Sequence, residues 1–301
     1  MPAVFFFADG VGNVGDTSTT LVRWIRRQQP ALIVYGGDVY DSGTVAEFQR
    51  FFRQMDENVA DLCEVAGNHD WESHSDASHP DRIPVNYEAF WSRFPPPLSH
   101  QPIDASKRGG ARYDHVKDIA DWRLVFVDTG PCNRHKWPMN DDSRRVWLNR
   151  VITETPGRAK IVFAHHSRLS KGKHGDIDNV DPLWRTLFDA RTSRPFVAMT
   201  IAGHDHNVSV YDPRPMNDPG SGAVPFANGI HVVVNGAGGE GRDMFIWGSS
   251  PDFKDRRNFC VTKIDLISPT AADVSILGFG SNDPPTVAEP TLLKTIEIRL
   301  A

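Results

Sequence analysis

The segment that decides the fold is residues 31–38, Ala-Leu-Ile-Val-Tyr-Gly-Gly-Asp, in which an apolar run ends at two glycines and an aspartate. A short apolar run bounded by turn-forming residues is typical of a buried strand. Strands and helices alternate on both sides of this segment. Strands are predicted at Val4–Ala8 and Leu62–Ala66, and amphipathic helices at Thr17–Gln29 and Thr44–Met55. This β-α-β-α-β order implies right-handed crossovers and a largely parallel sheet.

The rest of the chain changes character after this unit. Residues 71–112 are rich in Pro, Ser and His, and we predict a long irregular excursion with a short helix near Tyr87–Phe94 that caps an active site. The segments that follow are mostly β-rich, and the last of them are joined by Gly/Pro turns. Further strands are predicted at Arg112–Val116, Trp122–Asp128, Ile161–Ala164, Val197–Ala202, His231–Asn235, Phe259–Ile267, Asp273–Leu277 and Thr295–Leu300, and further helices at Asp141–Ile152 and Asp181–Ala190.

Parallel units first and antiparallel strands last predict an α/β chain with α+β character in its C-terminal part. The expected architecture is two mixed β-sheets packed face to face with helices outside, a four-layer αββα sandwich. We predict a single domain over residues 1–301, in which residues 241–301 complete the second sheet.

Composition excludes several classes of function. The net charge of -5 comes from 33 basic and 38 acidic residues, so we expect neither a nucleic-acid partner nor, without a long apolar run, a membrane partner. Three widely spaced cysteines do not form a disulfide framework, and the N-terminus lacks the features of a signal peptide. A cytoplasmic location is therefore expected, with a processed mature chain as the alternative, and the pattern makes no prediction of oligomeric state.

Five polar residues each stand just after a predicted strand: Asp9, Asp38, Asn68, His165 and His204. The carboxyl ends of parallel strands share one edge of a sheet, so these side chains are expected to meet there. A carboxylate can bridge two cations, and imidazole ligands favour Zn, Fe or Mn over Ca or Mg. Two such ions about 3.5–4 Å apart can hold a hydroxide and polarise a phosphoryl oxygen.

Each motif alone has an ordinary structural explanation. Asp9 or the Gly67–Asp70 segment could be a plain turn, because Gly, Asn and Asp are common turn formers. Two histidines flanking Asp205 after an apolar run are harder to explain in this way. Residues 236–241 match a dinucleotide-binding fingerprint, but a poor helix follows them, so a tight turn is the better interpretation.

The joint series resembles the calcineurin-like metallophosphoesterase superfamily, most closely its bacterial purple-acid-phosphatase-like members. The resemblance covers about residues 3 to 240, and the last 60 residues match only in general character. The matching segments are Asp9, Gly37-Asp38 with Tyr40–Thr44, Gly67–Asp70, His165–Arg168 with Ser170–Gly175, Gly203–Asn207 and Gly236–Gly239.

The resemblance implies two divalent or trivalent transition-metal ions, Fe, Zn or Mn. The first metal would take Asp9, Asp38 and His206, and the second would take Asp38, Asn68, His165 and His204. His165 matches the family ligand better than His166, because the family ligand is followed by one residue and then a turn-forming residue. His69 matches the catalytic histidine that touches the scissile phosphate, and Asp41 matches the carboxylate that orients it.

The first metal site departs from the family pattern. Many members have a histidine two residues after the first aspartate, where this chain has Val11. Purple acid phosphatases replace that histidine by a tyrosine three residues after the bridging aspartate, whereas Tyr40 comes two residues after Asp38. Tyr40 would reach the metal only if the backbone bulges, because a one-residue shift in extended chain turns the side chain to the other face. Asn13 and Asp16 are the alternatives.

Three residues are candidates for contact with substrate. The resemblance gives this role to Asn68 beside its metal role, and His166 either lines the substrate pocket or fills the turn. His174 either contacts phosphate together with Lys171 and Lys173 or belongs to a solvated basic loop.

The predicted function is hydrolysis of a small phosphorylated substrate, most simply a phosphomonoester, by a hydroxide held between two metal ions. A phosphodiesterase or cyclic-nucleotide hydrolase is the first alternative, with the choice set by steric blocking from residues 71–112. A catalytically degraded binding or regulatory module on the same fold is the second, and Val11 is the residue that motivates it.

Overall fold

The computed structural model describes residues 1–10, 17–39, 45–55, 62–71, 114–129, 142–188, 197–213, 230–239, 244–282, 285 and 289–300. Within these ranges the helices are α1 (Thr17–Arg27), α2 (Val45–Gln54), α3 (Asn68–Trp71), α4 (Asp142–Thr153) and α5 (Asp181–Phe188), with a 3₁₀ turn at Asp178–Val180. The strands are β1 (Ala3–Phe7), β2 (Leu32–Tyr35), β3 (Leu62–Glu64), β4 (His115–Ile119), β5 (Trp122–Phe126), β6 (Ala159–Phe163), β7 (Lys171–Gly172), β8 (Val197–Ala202), β9 (Val208–Tyr211), β10 (His231–Asn235), β11 (Trp247–Gly248), β12 (Phe253–Asp255), β13 (Cys260–Ser268), β14 (Ala271–Gly278) and β15 (Thr291–Arg299).

The first sheet has the strand order β15-β14-β13-β1-β2-β3 among the described strands. Strands β1, β2 and β3 are parallel, as the β-α-β-α-β pattern predicts, while β13 pairs with β1 in antiparallel orientation. The prediction that residues 241–301 complete the second sheet is therefore wrong for β13, β14 and β15. These three strands extend the first sheet, because β1 leaves its outer edge open for β13, and only β12 joins the second sheet.

The second sheet has the order β12-β9-β10-β8-β6-β5-β4 in the described ranges. Its central strands β5, β6, β8 and β10 are parallel, and β4, β9 and β12 run antiparallel to their neighbours. Both sheets are thus mixed, and the carboxyl ends of their parallel strands provide the edges at which the polar motifs emerge.

The core consists of three apolar layers. Inward-facing residues of both sheets form the central layer, for which Phe6 stacked on Phe163 is an example at 5.9 Å between ring centroids. The outer face of the first sheet packs on α1 and α2, and the outer face of the second packs on α4 and α5. The predicted four-layer αββα sandwich is confirmed.

Most predicted elements are present with shifted ends. Of the strand predicted at Arg112–Val116, the described part begins at His115 and continues to Ile119 as β4, in a tight hairpin with β5 around Ala120. The short strands β7, β9, β11 and β12 were not predicted, since two to four residues give too little alternation to recognise. All but residue 71 of the excursion predicted at 71–112, including its predicted helix, lies outside the described residues. No helix in the described ranges has the length and apolar character needed to cross a bilayer.

Candidate metal centre

Polar residues leave the carboxyl ends of five parallel strands and gather where the two sheets meet. Asp9 follows β1, Asp38 follows β2, Asn68 opens α3 after β3, His165 follows β6 and His204 follows β8. Backbone hydrogen bonds join neighbouring loops within each sheet, from Asp9 N to Gly37 O (3.1 Å) in the first and from Gly203 N to His165 O (3.0 Å) in the second. The edge predicted from the sequence is therefore formed.

The backbone at this edge is strained. Asp9, Asp38 and His204 have φ angles of 54°, 57° and 69°, in the left-handed region that residues with a side chain rarely adopt. Conformations of this kind persist only where the surrounding structure enforces them, and they concentrate at functional sites. Gly67 is required beside them, because a Cβ at that position would collide with the Asp38 carboxylate.

Asp38 lies at the middle of the cluster. Its Oδ2 is 3.2 Å from His165 Nε2, and its Oδ1 accepts a hydrogen bond from the backbone N–H of His69 at 3.0 Å. One carboxylate thus faces loops from both sheets, which is the position that a bridging metal ligand requires.

Two groups of buried side chains could each hold a metal ion. One consists of Asp9, Asp38 and His165, the other of His165, His166 and His204, and in each group the ligand atoms lie within 4.8 Å of one another. His165 belongs to both. Since His166 joins the second group, the structure brings it closer to the centre than the sequence indicated.

The donor atoms at this edge fit a metal ion. The Nε2 atoms of His166 and His204 and the Oδ1 of Asn68 are buried and have no hydrogen-bond partner in the part of the chain that the structure describes. Buried polar atoms are almost always paired, so such unpartnered atoms in one place call for an explanation. His165 Nδ1 donates to Gly36 O at 2.7 Å, which leaves Nε2 available as a ligand.

His206 extends the cluster towards solvent. Its Nε2 lies 3.7 Å from Asp9 Oδ1, and the other Asp9 oxygen, Oδ2, accepts the backbone N–H of His204 at 2.9 Å. The pair of Asp9 and His206 therefore stands where the predicted first metal would need it.

Charge interactions organise the protonation states of the cluster. Burial lowers the pKa of His165, but the negative charges of Asp38 and Asp9 overcome this and raise it to about 10, so a cation that binds at its Nε2 would have to displace a proton from this ring. Burial opposes ionisation of Asp38, yet the charge of His165 holds the pKa of this carboxyl below its usual range. For His166 and His204, burial and then the neighbouring imidazoles lower the pKa, which keeps these rings neutral and able to bind a metal.

Two positioning residues were not predicted from the sequence. Asp70 accepts backbone N–H groups from Gly67 (2.7 Å), Asp38 (2.9 Å) and Val39 (2.8 Å), and so ties the loop after β2 to the loop after β3. Thr129 Oγ1 accepts the backbone N–H of His165 at 3.1 Å and of its neighbour at 2.9 Å. For Asp70 the available signal was a carboxylate at the end of the Gly67–Asp70 motif, whereas nothing marked Thr129.

The remaining predicted residues have different outcomes. His69 is half-buried in the first turn of α3 beside Asp38. His174 lies against the cluster, with its ring centroid 4.1 Å from that of His204, so it is not part of a solvated loop. Tyr40 and Asp41, together with Val11, Asn13 and Asp16, lie outside the described residues.

Comparison with known proteins agrees with this geometry. The model of the calcineurin-like phosphoesterase family matches residues 10–208. The chain is 26% identical over 211 residues to the 3',5'-cyclic adenosine monophosphate phosphodiesterase CpdA of Pseudomonas aeruginosa, covering 67% of this chain and 65% of that protein. It is 22% identical over 184 residues to the probable glycerophosphodiester phosphodiesterase GpdQ of Arcobacter nitrofigilis, covering 61% of this chain and 59% of that protein. The matches therefore span less than two thirds of the length of either relative.

Among solved structures, purple acid phosphatase PPD1 from yellow lupin superposes with a TM-score of 0.71 at 15% identity, covering 99% of this chain and 54% of that one. At this identity the likeness shows a shared fold.

Proposed function

Since the chain belongs to the calcineurin-like phosphoesterase family, we propose that it is a metal-dependent hydrolase of phosphate esters that acts mainly on phosphomonoesters. The observation that carries this proposal is the pair of buried ligand groups that share His165 at the joint edge of the two sheets. Hydrolysis at phosphorus needs positive charge on both the attacked and the leaving side, and two adjacent cations supply it.

The proposed ligands divide between two ions. Asp9, Asp38 and His206 would hold one, and Asp38, Asn68, His165 and His204 would hold the other. When bound, such ions polarise phosphoryl oxygens and generate a nucleophile from water at neutral pH. The ligand types suit Fe, Zn or Mn.

The location of His69 beside Asp38 supports the proposal that its imidazole protonates the leaving oxygen. Its backbone N–H is anchored on Asp38 Oδ1 at 3.0 Å, and its side chain remains partly open to solvent. We assign the leaving-group proton to this imidazole, with Asp41 as its orienting partner. A positioned imidazole typically contributes a factor of about 10²–10⁴.

Hydrolysis of phosphodiesters is the second candidate. It is favoured by the names of the two curated relatives, both of which are phosphodiesterases. Monoesters remain the first proposal because the motifs resemble those of purple-acid-phosphatase-like proteins.

A substrate panel separates these candidates. The full chain, supplied in turn with Mn, Fe and Zn, is assayed on an aryl monoester, an aryl diester and 3',5'-cyclic nucleotides. Preference for the monoester supports the proposal, and preference for either diester supports the second candidate. Absence of turnover on every substrate with every metal would refute the enzyme and favour a binding module.

The His69→Gln variant tests the proton assignment within the same assay. Its matched control is His231→Gln, because His231 lies at the amino end of β10, away from the cluster. Loss of about 10²-fold or more in kcat for the first variant only is expected. Undiminished turnover in His69→Gln would show that another group protonates the leaving oxygen.

A further inference from the structure

A two-stranded ribbon stands beside the candidate metal centre. It consists of β7 and β11, in which Trp247 pairs with Gly172 and Gly248 pairs with Lys171. The side chain of Trp247 is conspicuous on this ribbon because it is 65% exposed. An indole at the surface leaves much apolar area in water, which marks a position where an apolar group can dock.

The ribbon is held rigidly from within. Asp176 accepts hydrogen bonds from Ser170 N (2.9 Å) on one side and from Ser249 N (3.1 Å) and Ser249 Oγ (2.7 Å) on the other. Lys171 Nζ adds a bond to Gly248 O at 3.1 Å. Both strands are thus tied together at their ends, so Trp247 has a fixed backbone.

The same ribbon is attached to the segment that carries two proposed metal ligands. Asp205, between His204 and His206, accepts the backbone N–H of His174 at 2.9 Å and a hydrogen bond from the hydroxyl of Ser170. Asn207 Nδ2 donates to Lys171 O at 3.0 Å. The position of the ribbon is therefore fixed relative to the metal centre.

Trp247 projects from the face of the ribbon that is turned to this segment. Directly opposed residues of a strand pair project their side chains to the same face. A Cβ on Gly172, the partner of Trp247, would collide with the side chains of Asp205 and Asn207, so this face is the one packed on that segment. Gly175 lies close to Trp247, because a Cβ placed on this glycine would be 3.1 Å from Trp247 Cβ.

We propose that Trp247 forms a subsite for a planar aromatic leaving group of the ester that is cleaved at the metal centre, an inference that rests on the proposed function. His174 connects Trp247 with the metal centre. Its ring contacts that of His204, and its neighbour Gly175 lies against Trp247. The phosphoryl group would lie at the metal centre and the aromatic ring on the indole. An indole on a tethered backbone binds such a ring at low entropic cost, because a tryptophan side chain has only two torsions to fix.

Esters that differ only in the distal group test this subsite. The Mn-supplemented full chain is assayed on 2-phenylethyl, 2-cyclohexylethyl and ethyl phosphate, or on their methyl diesters if the enzyme prefers diesters. All three leaving groups are primary alcohols, so the chemistry at phosphorus is matched. In the wild type, we expect kcat/KM to be highest for the phenyl ester.

The informative variants are Trp247→Ala and Trp247→Phe, with Leu292→Ala as the control. Leu292 is also exposed, at 57%, but lies on β15 at the edge of the first sheet. Trp247→Ala should lower the phenyl-to-ethyl ratio of kcat/KM about tenfold, the value of a good aromatic contact. Trp247→Phe should retain most of the ratio, and Leu292→Ala should leave it unchanged.

Binding of non-hydrolysable phosphonates separates failure of the subsite from failure of the proposed function. Calorimetry compares 2-phenylethylphosphonate with ethylphosphonate on the wild type and on Trp247→Ala. A wild type that hydrolyses nothing, but prefers the phenyl compound through Trp247, would refute the hydrolase and support the subsite. Absence of a phenyl preference would overturn the subsite. The same follows if the cyclohexyl ester is preferred equally, or if Trp247→Ala keeps the phenyl preference.

Discussion

The two ends of the second sheet are built in opposite ways. At the amino end of β5 and β6, charged side chains are paired with one another. At the carboxyl end, the backbone is strained and the buried Nε2 atoms of His166 and His204 have no hydrogen-bond partner among the described residues. Charge pairs therefore fasten the amino end of this sheet, whereas buried donor atoms without a hydrogen-bond partner remain at the carboxyl end among the described residues.

The amino end is organised by Arg123 at the start of β5. Its guanidinium makes two hydrogen bonds to Asp118 (3.0 and 3.2 Å), one to Val151 O (3.2 Å) and one to Glu154 (2.5 Å). Its neighbour on β6, Lys160, donates to Thr155 O at 2.6 Å. These groups fasten β4, β5 and the loop that enters β6.

The largest expected effect comes from removing a ligand at the carboxyl end. His204→Asn should lower kcat more than about 100-fold, because loss even of a residue that only supports a ligand costs 10–100-fold. The unfolding free energy of the chelated protein should change by less than about 1 kcal/mol, since asparagine tolerates a positive φ and the buried Nε2 of the ring has no hydrogen-bond partner to lose among the described residues. Turnover assays and urea denaturation measure the two quantities.

The control for that variant is His231→Asn at the amino end of β10, which should leave kcat unchanged. A His204→Asn protein that unfolds far more easily, even in the presence of chelator, would show that this end is built for stability after all.

Removal of metal should destabilise the protein reversibly. A ligand that binds only the folded state at 100 times its Kd adds about 2.7 kcal/mol, so chelation should lower Tm and added Mn, Fe or Zn should restore it. Scanning calorimetry of the wild type and of His204→Asn measures this, and the shift should be much smaller in the variant. An equal shift in both proteins would place the metal elsewhere.

A substitution at the amino end should lower the stability of the protein and leave its turnover unchanged. Arg123→Met breaks the pairing described above and should cost about 1–3 kcal/mol of unfolding free energy, the range for hydrogen bonds to charged groups, while kcat stays unchanged. The matched control is Arg185→Met, which removes an exposed pair with Asp181 on α5 and should cost less than about 1 kcal/mol. A loss of turnover in Arg123→Met would mean that the two ends are not independent.

The last expected effect is a pH dependence at the amino end, and it is confined to alkaline pH. Burial, followed by the charges of Arg123 and Arg158, lowers the pKa of Lys160 from 10.5 to about 8. The unfolded chain therefore holds this proton over a range in which the folded chain has released it, so unfolding free energy should rise as pH increases from about 8 to 10.5. Lys160→Met should remove this rise in denaturant titrations, and an unchanged slope would contradict the pKa direction.

The sequence predicts what depends on local pattern. Strands β8 and β10 were predicted with their observed ends, because continuous apolar runs bounded by polar residues mark buried parallel strands. The edge at which Asp9, Asp38, Asn68, His165 and His204 meet followed from the same reasoning. Both results rest on short stretches of chain and on a general rule for parallel sheets.

What was not predicted depends on contacts between distant residues. The pairing of β13 with β1 joins residues more than 250 positions apart, and no local signal assigns the tail to one sheet or the other. Asp70 and Thr129 accept hydrogen bonds from backbone N–H groups. Every residue type except proline has such a group, so the sequence does not mark which residues will donate to them. The positive φ angles of Asp9, Asp38 and His204 likewise come from the packing of loops, since their residue types do not require them.

The most direct test of the central claim is anomalous scattering from crystals of the Mn-loaded chain. The account predicts two peaks per chain, one contacting Asp9 and His206, the other contacting His165 and His204, with Asp38 reaching both. One peak, no peak, or a second ion held by His166 in place of His165 would contradict it.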